Sequence, residues 1–368
     1  MEWASFPPNQ HDGFRCRMRR ASDNRVVPDY CPGKSGFQEI KMGFIQERRV
    51  PANGLDMFIA EAGVKGAPLV LCLHGFPECW ASWRYQLPVL AQSGYHAVAP
   101  DLRGYGETRG AATVEDCRLS RLAGDVVALI DALGAERAVL VGHDWGCALA
   151  WEVARTYPER VTAVVGLSVP YGGPSPRAPT EAMRELFGDH FFYMLYFQQA
   201  EAPERELGED VRYSLRALFH NLSAEGMANF QVAPDDSGVL DSMRVPARPS
   251  RWMREEDLDY YVARFEKTGF TGALNWYRAM DISWEESRAD DNWTIQAPVL
   301  FLGGMQDPVL MFSQKALARM PDYVPNLNTV VLDQCGHWIQ MEQAAEVNRE
   351  MLAFLAEAAP PGEDHPEP

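Results

Sequence analysis

Short apolar runs and amphipathic helical segments alternate along the first half of the chain. Phe44–Val50 and Leu55–Ala62 predict two strands joined at Asn53-Gly54, because an Asn-Gly pair suits the positive φ angles of a tight turn. Leu69–His74 and Tyr95–Pro100 are largely apolar, which is typical of strands buried on both faces of a sheet.

The next segments repeat the order of helix and strand. Apolar residues keep helical spacing from Leu119 to Leu133, and Gly134 follows where a C-terminal cap belongs. Three further segments follow: the strand Ala138–Val141, the helix Cys147–Thr156 and the strand Val161–Leu167. Strands that alternate with helices predict an α/β protein with a mostly parallel, twisted sheet and helices on both faces.

A long insertion interrupts this alternation. The alternation stops at Pro170 and resumes in three segments: Pro298–Gly303, Thr329–Asp333 and a helix around Val347–Leu355. The insertion, residues 171–292, carries a dense set of aromatic residues: Phe187, Phe191, Phe192, Tyr193, Tyr196 and Phe197. Such a density is too high for a solvated surface, so we expect the insertion to form a helical lid. Open α/β sheets bind ligands at the carboxyl ends of their strands, and the lid would cover that edge.

The remaining segments define the expected domain organisation. Residues 1–36 are irregular and predict an N-terminal arm, and residues 359–368 predict a flexible tail. The core then consists of residues 37–170 and 293–358, on either side of the lid at residues 171–292. No secretory signal is visible, because no apolar segment follows the early arginines. The apolar runs are too short to span a bilayer, so no membrane insertion is expected.

Charge and cysteine content narrow the possible partners. The chain has 368 residues with 34 Lys and Arg against 51 Asp and Glu, a formal net charge of −17. An acidic surface repels phosphate backbones, which argues against a nucleic-acid partner. The seven cysteines are scattered and form no C-x-x-C pair, so we expect reduced thiols, a cytoplasmic location and no metal site.

A nucleophile elbow is the most informative motif. Gly142-His143-Asp144-Trp145-Gly146 lies between a predicted strand and helix and has the form G-x-nucleophile-x-G, with Asp144 where serine is usual. A carboxylate is nucleophilic at pH 7 without a base, and it attacks saturated carbon well. Asp144 therefore indicates an attack on an epoxide or an alkyl halide. The alternative is an aspartate that merely caps the following helix.

Two downstream residues complete a catalytic set in the order nucleophile, acid, histidine. Asp307 follows the predicted strand Pro298–Gly303, and His337 follows the last strand, so both are expected beside Asp144. The alternatives are an Asp-Pro turn for Asp307 and an ordinary loop position for His337. Ser168 follows the strand after the elbow, so the alternative position for the acid, at the end of that strand, carries none.

The loop His74-Gly75-Phe76-Pro77-Glu78 supplies the expected oxyanion site. We expect the backbone N–H groups of Phe76 and Trp145 to act as the donors to a negative oxygen. We expect His74 to order this loop and His143 to be a buried support.

Four motifs together resemble the α/β-hydrolase-fold epoxide hydrolases, close to the soluble type, over Phe44 to Leu355. These motifs are the H-G-F-P-E of His74–Glu78, the D-L-R-G-Y-G of Asp101–Gly106, the H-D-W-G at Asp144 and the G-H-W at His337. Several of the motifs also occur in haloalkane and fluoroacetate dehalogenases. The resemblance implies an α/β-hydrolase fold with an inserted helical lid.

Two segments of the predicted lid distinguish the epoxide hydrolases from the dehalogenases. Phe192–Gln198 and Leu274–Arg278 are similar to the epoxide-hydrolase segments that carry the ring-opening tyrosines, which implies Tyr193 and Tyr277 as proton donors, with Tyr196 as the first substitute for Tyr193. An alkoxide is a poor leaving group and needs acid assistance, whereas a halide does not. The resemblance further implies substrate contacts from Phe76, Trp145, Tyr196 and Trp338. One departure lies at Gln198-Gln199-Ala200-Glu201, where Gln-Glu-Pro-Gly is usual.

The function expected from this resemblance is hydrolysis of an epoxide to a vicinal diol, and the aromatic lid suggests that the epoxide is apolar. The route would be an ester on Asp144, hydrolysed by water that His337 and Asp307 activate, with no metal or cofactor. A monomer or homodimer is expected. The alternatives are a dehalogenase on the same scaffold and, more remotely, a ligand receptor without catalysis.

Overall fold

The computed structural model describes residues 45–227 and 237–361. The predicted arm at residues 1–36 and the end of the predicted tail, residues 362–368, therefore lie outside the described residues.

A mixed β-sheet forms the centre of the molecule. Its strands within the described residues are β1 (Gln46–Ala52), β2 (Leu55–Ala62), β3 (Leu69–Leu73), β4 (His96–Pro100), β5 (Ala138–His143), β6 (Val161–Leu167), β7 (Val299–Gly304) and β8 (Leu327–Leu332). Their order across the sheet is β1-β2-β4-β3-β5-β6-β7-β8. The β1–β2 and β2–β4 pairs are antiparallel, and every other pair is parallel. The predicted fold, α/β with a mostly parallel sheet, is confirmed.

The helices surround the sheet or form the insertion. They are α1 (Leu87–Gln92), α2 (Leu119–Ala132), α3 (Trp145–Thr156), α4 (Pro179–Phe187), α5 (Tyr193–Tyr196), α6 (Ala202–Glu209), α7 (Val211–Asn221), α8 (Ala224–Met227), α9 (Glu255–Thr268), α10 (Thr271–Arg278), α11 (Met280–Ser287), α12 (Pro308–Phe312), α13 (Gln314–Tyr323), α14 (Ile339–Glu342) and α15 (Ala344–Ala358). Helices α4 to α11 all lie between β6 and β7, where the sequence predicts the lid.

The observed bounds of the two edge strands, β1 and β8, differ from the predicted bounds. Strand β1 continues to Ala52, which pairs with Leu55 across the Asn53-Gly54 turn. Both turn residues have positive φ, 47° and 78°, as an Asn-Gly turn requires. Strand β8 begins earlier than predicted because Leu327 pairs with Val299 of β7.

The core lies on both faces of the central strands. Every residue of β3, β4 and β5 is buried, as their apolar composition predicts for parallel strands covered by helices. Replacing one of their buried leucines, such as Leu71, by alanine is expected to cost about 2–5 kcal/mol of stability.

The sheet also positions the predicted site residues. Asp144 follows β5 directly and Ser168 follows β6, whereas Asp307 and His337 lie in the loops after β7 and β8. These four strands are parallel neighbours, so their carboxyl ends meet at one edge of the sheet. Of the helices described, none has both the length and the apolar character needed to cross a membrane.

Polar contacts join the lid to the core. The indole N–H of Trp276, on α10, donates to the carbonyl oxygen of Arg103 at 2.9 Å. Tyr261, on α9, and Ser82 hydrogen bond through their hydroxyl groups at 2.8 Å. Both lid residues are fully buried, so α9 and α10 are packed onto the core.

Candidate active site

The turn after β5 holds Asp144 in a rare backbone conformation. Its φ is 51° and its ψ is −120°, which is unfavourable for a residue with a side chain. An added Cβ would lie 2.3 Å from the carbonyl oxygen of Gly146 if built on Gly142, and 2.1 Å from the carbonyl oxygen of Leu73 if built on Gly146. Both glycines are therefore required by close backbone packing. The Asp144 carboxylate does not cap α3, so the alternative role as an N-cap has no support.

The two oxygens of the Asp144 carboxylate have different partners. Oδ1 accepts a hydrogen bond from the backbone N–H of Phe76 at 2.8 Å, while Oδ2 lies 3.8 Å from Nε2 of His337. Trp145 is the first residue of α3, so its N–H lies at the positive end of that helix dipole. The predicted nucleophile and both predicted oxyanion donors are therefore close together.

A buried loop supports this arrangement. Nε2 of His74 accepts from the Leu102 N–H at 3.0 Å, which leaves its Nδ1–H to donate to the carbonyl oxygen of Gly75, also at 3.0 Å. Burial lowers the pKa of His74 to about 4, because the cation would lose its hydration. A neutral His74 orders the loop, in agreement with its predicted role.

Glu78 and His143 form a second buried support. Glu78 accepts hydrogen bonds from the Gly75 N–H at 2.7 Å and the Gln340 side chain at 2.7 Å, and it lies 2.7 Å from Nδ1 of His143. Burial alone would raise the pKa of Glu78, but His143, His74 and the Gly75 N–H lower it to about 2. Nε2 of His143 is 2.8 Å from the carbonyl oxygen of His337, so this support reaches the predicted catalytic histidine.

Asp307 and His337 form a buried pair. Oδ1 of Asp307 lies 3.1 Å from Nδ1 of His337, and it also accepts from the Val309 N–H at 2.8 Å as the N-cap of α12. The Asp-Pro turn and the predicted pairing with histidine therefore coexist in one residue.

The charge state of His337 depends on the surrounding carboxylates. Burial alone would lower its pKa, but the negative charges of Asp307, Asp144 and Glu78 outweigh burial and raise it to about 9. The carboxylates around His337 therefore favour its protonated form, with one aspartate on either side of the ring.

Two supporting residues were not predicted from the sequence. The Ser168 hydroxyl donates to Oδ2 of Asp307 at 2.6 Å and lies 3.0 Å from Nδ1 of His337. The Glu342 carboxylate accepts from three backbone N–H groups around His337, those of Ala224, Gly336 and Trp338. For Ser168 the only signal in the sequence was its position directly after a strand, and for Glu342 there was none.

The lid brings Tyr193 and Tyr277 together. Tyr193 begins α5, Tyr277 lies on α10, and their ring centroids are 6.1 Å apart. Burial raises the pKa of both phenols well above its usual value, and the negative charge of Asp144 raises it further. Both are therefore neutral donors at any pH near 7.

Aromatic rings surround this tyrosine pair. The ring centroid of Tyr277 lies 5.5 Å from that of Phe76, 5.1 Å from that of Trp145 and 5.1 Å from that of Phe197, all in edge-to-face contacts. Phe76 and Trp145 thus lie beside the tyrosine pair, where the sequence predicts substrate contacts.

The resemblance also implies substrate contacts from Tyr196 and Trp338, and the structure engages the polar atoms of both within the protein. The hydroxyl of Tyr196 faces Glu206, which together with burial raises its pKa. Trp338 is fully buried, donates its indole N–H to the Phe219 carbonyl oxygen at 2.9 Å and packs on the ring of His337 at 4.8 Å. Their polar atoms are already engaged, so they pack around the site. Across the residues that the structure describes, no group of three or more His, Cys, Asp and Glu side chains is placed to hold a metal ion.

Known proteins resemble this chain over most of its length. A family model described as the alpha/beta hydrolase fold matches residues 68–344. Epoxide hydrolase A of Mycobacterium tuberculosis is 42% identical over 85% of this chain and 98% of that protein. Epoxide hydrolase B of the same organism is 37% identical over 80% of this chain and 92% of that protein. The crystal structure of epoxide hydrolase A from Mycobacterium thermoresistibile superposes with a TM-score of 0.81 at 43% identity, and covers 85% of this chain and 98% of that one.

The chain belongs to the α/β-hydrolase fold family, and within it to the epoxide hydrolases. It is an enzyme that hydrolyses epoxides. The relatives thereby favour the first of the functions expected from the sequence over the dehalogenase and receptor alternatives.

Proposed function

We propose that this enzyme opens epoxides in two covalent half-reactions. In the first, Oδ2 of Asp144 attacks a ring carbon, the ring C–O bond breaks, and an ester forms. The leaving oxygen takes a proton from the Tyr193–Tyr277 pair. Esterification removes the negative charge of Asp144, so His337 releases its proton. Solvent carries this proton to the tyrosinate and restores the neutral phenol.

In the second half-reaction, water hydrolyses the ester. Neutral His337, oriented by Asp307, takes a proton from water, and the oxygen of that water attacks the Asp144 carbonyl carbon. The N–H groups of Phe76 and Trp145 stabilise the resulting oxyanion. The ester bond breaks, the alkoxide takes the proton from His337, and the new Asp144 carboxyl group returns a proton to His337. A vicinal diol leaves.

The main support for this proposal is that the two carboxylate oxygens of Asp144 have different neighbours. Oδ1 is held by the Phe76 N–H at 2.8 Å and is suited to become the ester carbonyl oxygen. Oδ2 is 3.8 Å from Nε2 of His337 and is suited to attack. The ester carbon would then lie beside both the oxyanion donors and the water-activating base.

Oxygen labelling tests the proposal. In a single turnover in ¹⁸O-labelled water, with enzyme in excess, the first diol should contain no label, because its new oxygen comes from Asp144. The label should appear in Asp144 and, after several turnovers, in the diol. A labelled first diol would contradict the ester mechanism and indicate direct attack by water.

The aromatic surroundings of the tyrosine pair support an apolar epoxide as substrate, since Phe76, Trp145 and Phe197 all pack beside Tyr277. A panel of terminal, aryl and trans-disubstituted epoxides, with haloalkanes as controls, tests this preference. Higher kcat/KM for hydrophilic epoxides would contradict it.

We also propose a monomer or homodimer, which sedimentation analysis would distinguish from larger assemblies.

We propose the division into a core of residues 37–170 and 293–358 and a lid of residues 171–292. The position of α4 to α11 between β6 and β7 supports it.

We propose a cytoplasmic location, supported by the five cysteines of the described residues, which are free and buried. Fractionation of the source cells tests the location.

A further inference from the structure

Ser168 occupies a strained turn at the end of β6. Its φ is 75°, and the Val169 N–H donates across it to the Leu167 carbonyl oxygen at 2.9 Å. A three-residue turn closed in this way with a positive φ at its centre is rare and costs free energy for any residue that carries a Cβ. Glycine would adopt the same conformation without strain, so the contribution of serine at this position must come from its hydroxyl group.

The Ser168 hydroxyl is fully buried between the two partners of the proposed water-activating pair. Its oxygen lies 2.6 Å from Oδ2 of Asp307 and 3.0 Å from Nδ1 of His337. An ionised carboxylate only accepts hydrogen bonds, so the single hydroxyl proton points to Asp307. The serine oxygen then presents a lone pair to the Nδ1–H of His337, which also faces Oδ1 of Asp307 at 3.1 Å.

The hydrogen bonds of Asp307 leave little freedom for its carboxylate. Oδ1 accepts from Val309 and faces His337, while Oδ2 accepts from Ser168. Without the serine hydroxyl, a buried carboxylate oxygen would lose the hydrogen-bond donor that holds it. The carboxylate could then rotate away from His337, and the proton on Nδ1 would lose both of its acceptors in the present geometry.

We propose that Ser168 is a positioning residue for the ester-hydrolysis step. It fixes the plane of the Asp307 carboxylate and keeps the proton of His337 on Nδ1, so that Nε2 is free to accept a proton from water. This inference rests on the proposed two-step mechanism. It assigns Ser168 no role in the attack on the epoxide, because that attack uses Asp144 and the tyrosine pair.

The test separates the two half-reactions with styrene oxide as the probe. Rapid-quench mass spectrometry of the intact protein measures ester formation and ester loss in Ser168→Ala and Ser168→Gly. Both variants should slow ester hydrolysis about 10- to 100-fold more than ester formation, as expected for loss of a hydrogen bond to a charged group. The ester should accumulate, and kcat and KM should fall together.

The pair of variants distinguishes the hydroxyl from the backbone. Alanine keeps the Cβ and its strain, whereas glycine removes both, so a similar effect in the two assigns the role to the hydroxyl. Ser168→Cys, with a weaker donor, should fall between these variants and the parent enzyme. Ser214→Ala is the matched control, because Ser214 is also buried but donates to the Leu207 carbonyl oxygen within the lid. It should leave the ratio of the two rates unchanged.

Three results would overturn the proposal: equal slowing of both half-reactions, no change in either, or an effect of alanine that glycine abolishes. His337→Gln separates these results from a failure of the mechanism itself. This variant should trap the ester, and its failure to form any ester would contradict the two-step scheme whatever Ser168 does.

Discussion

Nε2 of His337 lies 3.8 Å from Oδ2 of Asp144, and its pKa is raised to about 9 by the surrounding carboxylates, although burial opposes this shift. The surrounding carboxylates thus favour the protonated form of the base proposed for the second half-reaction. In the proposed mechanism, ester formation would neutralise the charge of Asp144, which is one of the charges that raise this pKa. The first half-reaction would therefore prepare the base for the second.

We predict that ester hydrolysis has its pH midpoint below the pKa of His337 in the free enzyme. The free-enzyme value includes the charge of Asp144, and the ester lacks that charge. NMR titration of His337 gives the first value, and the pH dependence of ester loss after mixing gives the second, with the rate rising as pH rises. Equal midpoints would show that the Asp144 charge does not control this histidine.

We predict that Tyr193→Phe and Tyr277→Phe each slow ester formation by about 10²-fold or more, since each removes a proton donor to the leaving oxygen. Single-turnover mixing with styrene oxide measures this rate. The exposed lid residue Tyr213 supplies the matched control, and Tyr213→Phe should react as the parent does. An ester-formation rate unchanged in both variants would remove the tyrosines from the mechanism.

We predict that Gly146→Ala lowers the free energy of unfolding by about 1–3 kcal/mol, because its Cβ would lie 2.1 Å from the Leu73 carbonyl oxygen. Gly208, in α6, is the control: nothing lies within 4 Å of an added Cβ. Alanine at Gly208 should stabilise by about 0.5–1 kcal/mol, since it reduces the entropy of the unfolded chain. Urea unfolding measures both, and shifts of the same sign would contradict the packing argument.

We predict that Glu61 stabilises the fold in a pH-dependent way. Burial opposes its ionisation, but hydrogen bonds from Arg48, His96 and Lys65 lower its pKa from 4.5 to about 2. A lowered pKa contributes stability that is present above pH 4.5 and is lost as the pH falls towards 2.

Glu61→Gln should therefore cost about 1–2 kcal/mol at pH 7, after allowance for solvent screening of Arg48 and Lys65. The difference from the parent enzyme should shrink as the pH falls from 5 to 3. Urea unfolding across this range measures it, and a difference that is constant with pH would exclude the ionic contribution.

The sequence by itself determined the sheet and the chain order of the site. Hydrophobic periodicity is a local property, so it predicted Val161–Leu167 with both ends correct and the interruption of the sheet between β6 and β7. The elbow around Asp144 needs small residues at fixed spacing, so the sequence motif predicted this turn. Asp307 and His337 were predictable because parallel strands bring their carboxyl ends to one edge.

Only the tertiary structure decided which side chains meet. Tyr193 and Tyr277, on α5 and α10, come together only in the folded chain, and so do Tyr196 and Glu206. Ser168 reaches Asp307 and His337 because a positive φ directs its side chain, and the residues around Ser168 do not predict such an angle. Loops and lid contacts join residues far apart in the chain, so their geometry, and the pKa of the groups that they enclose, arises only when the chain is folded.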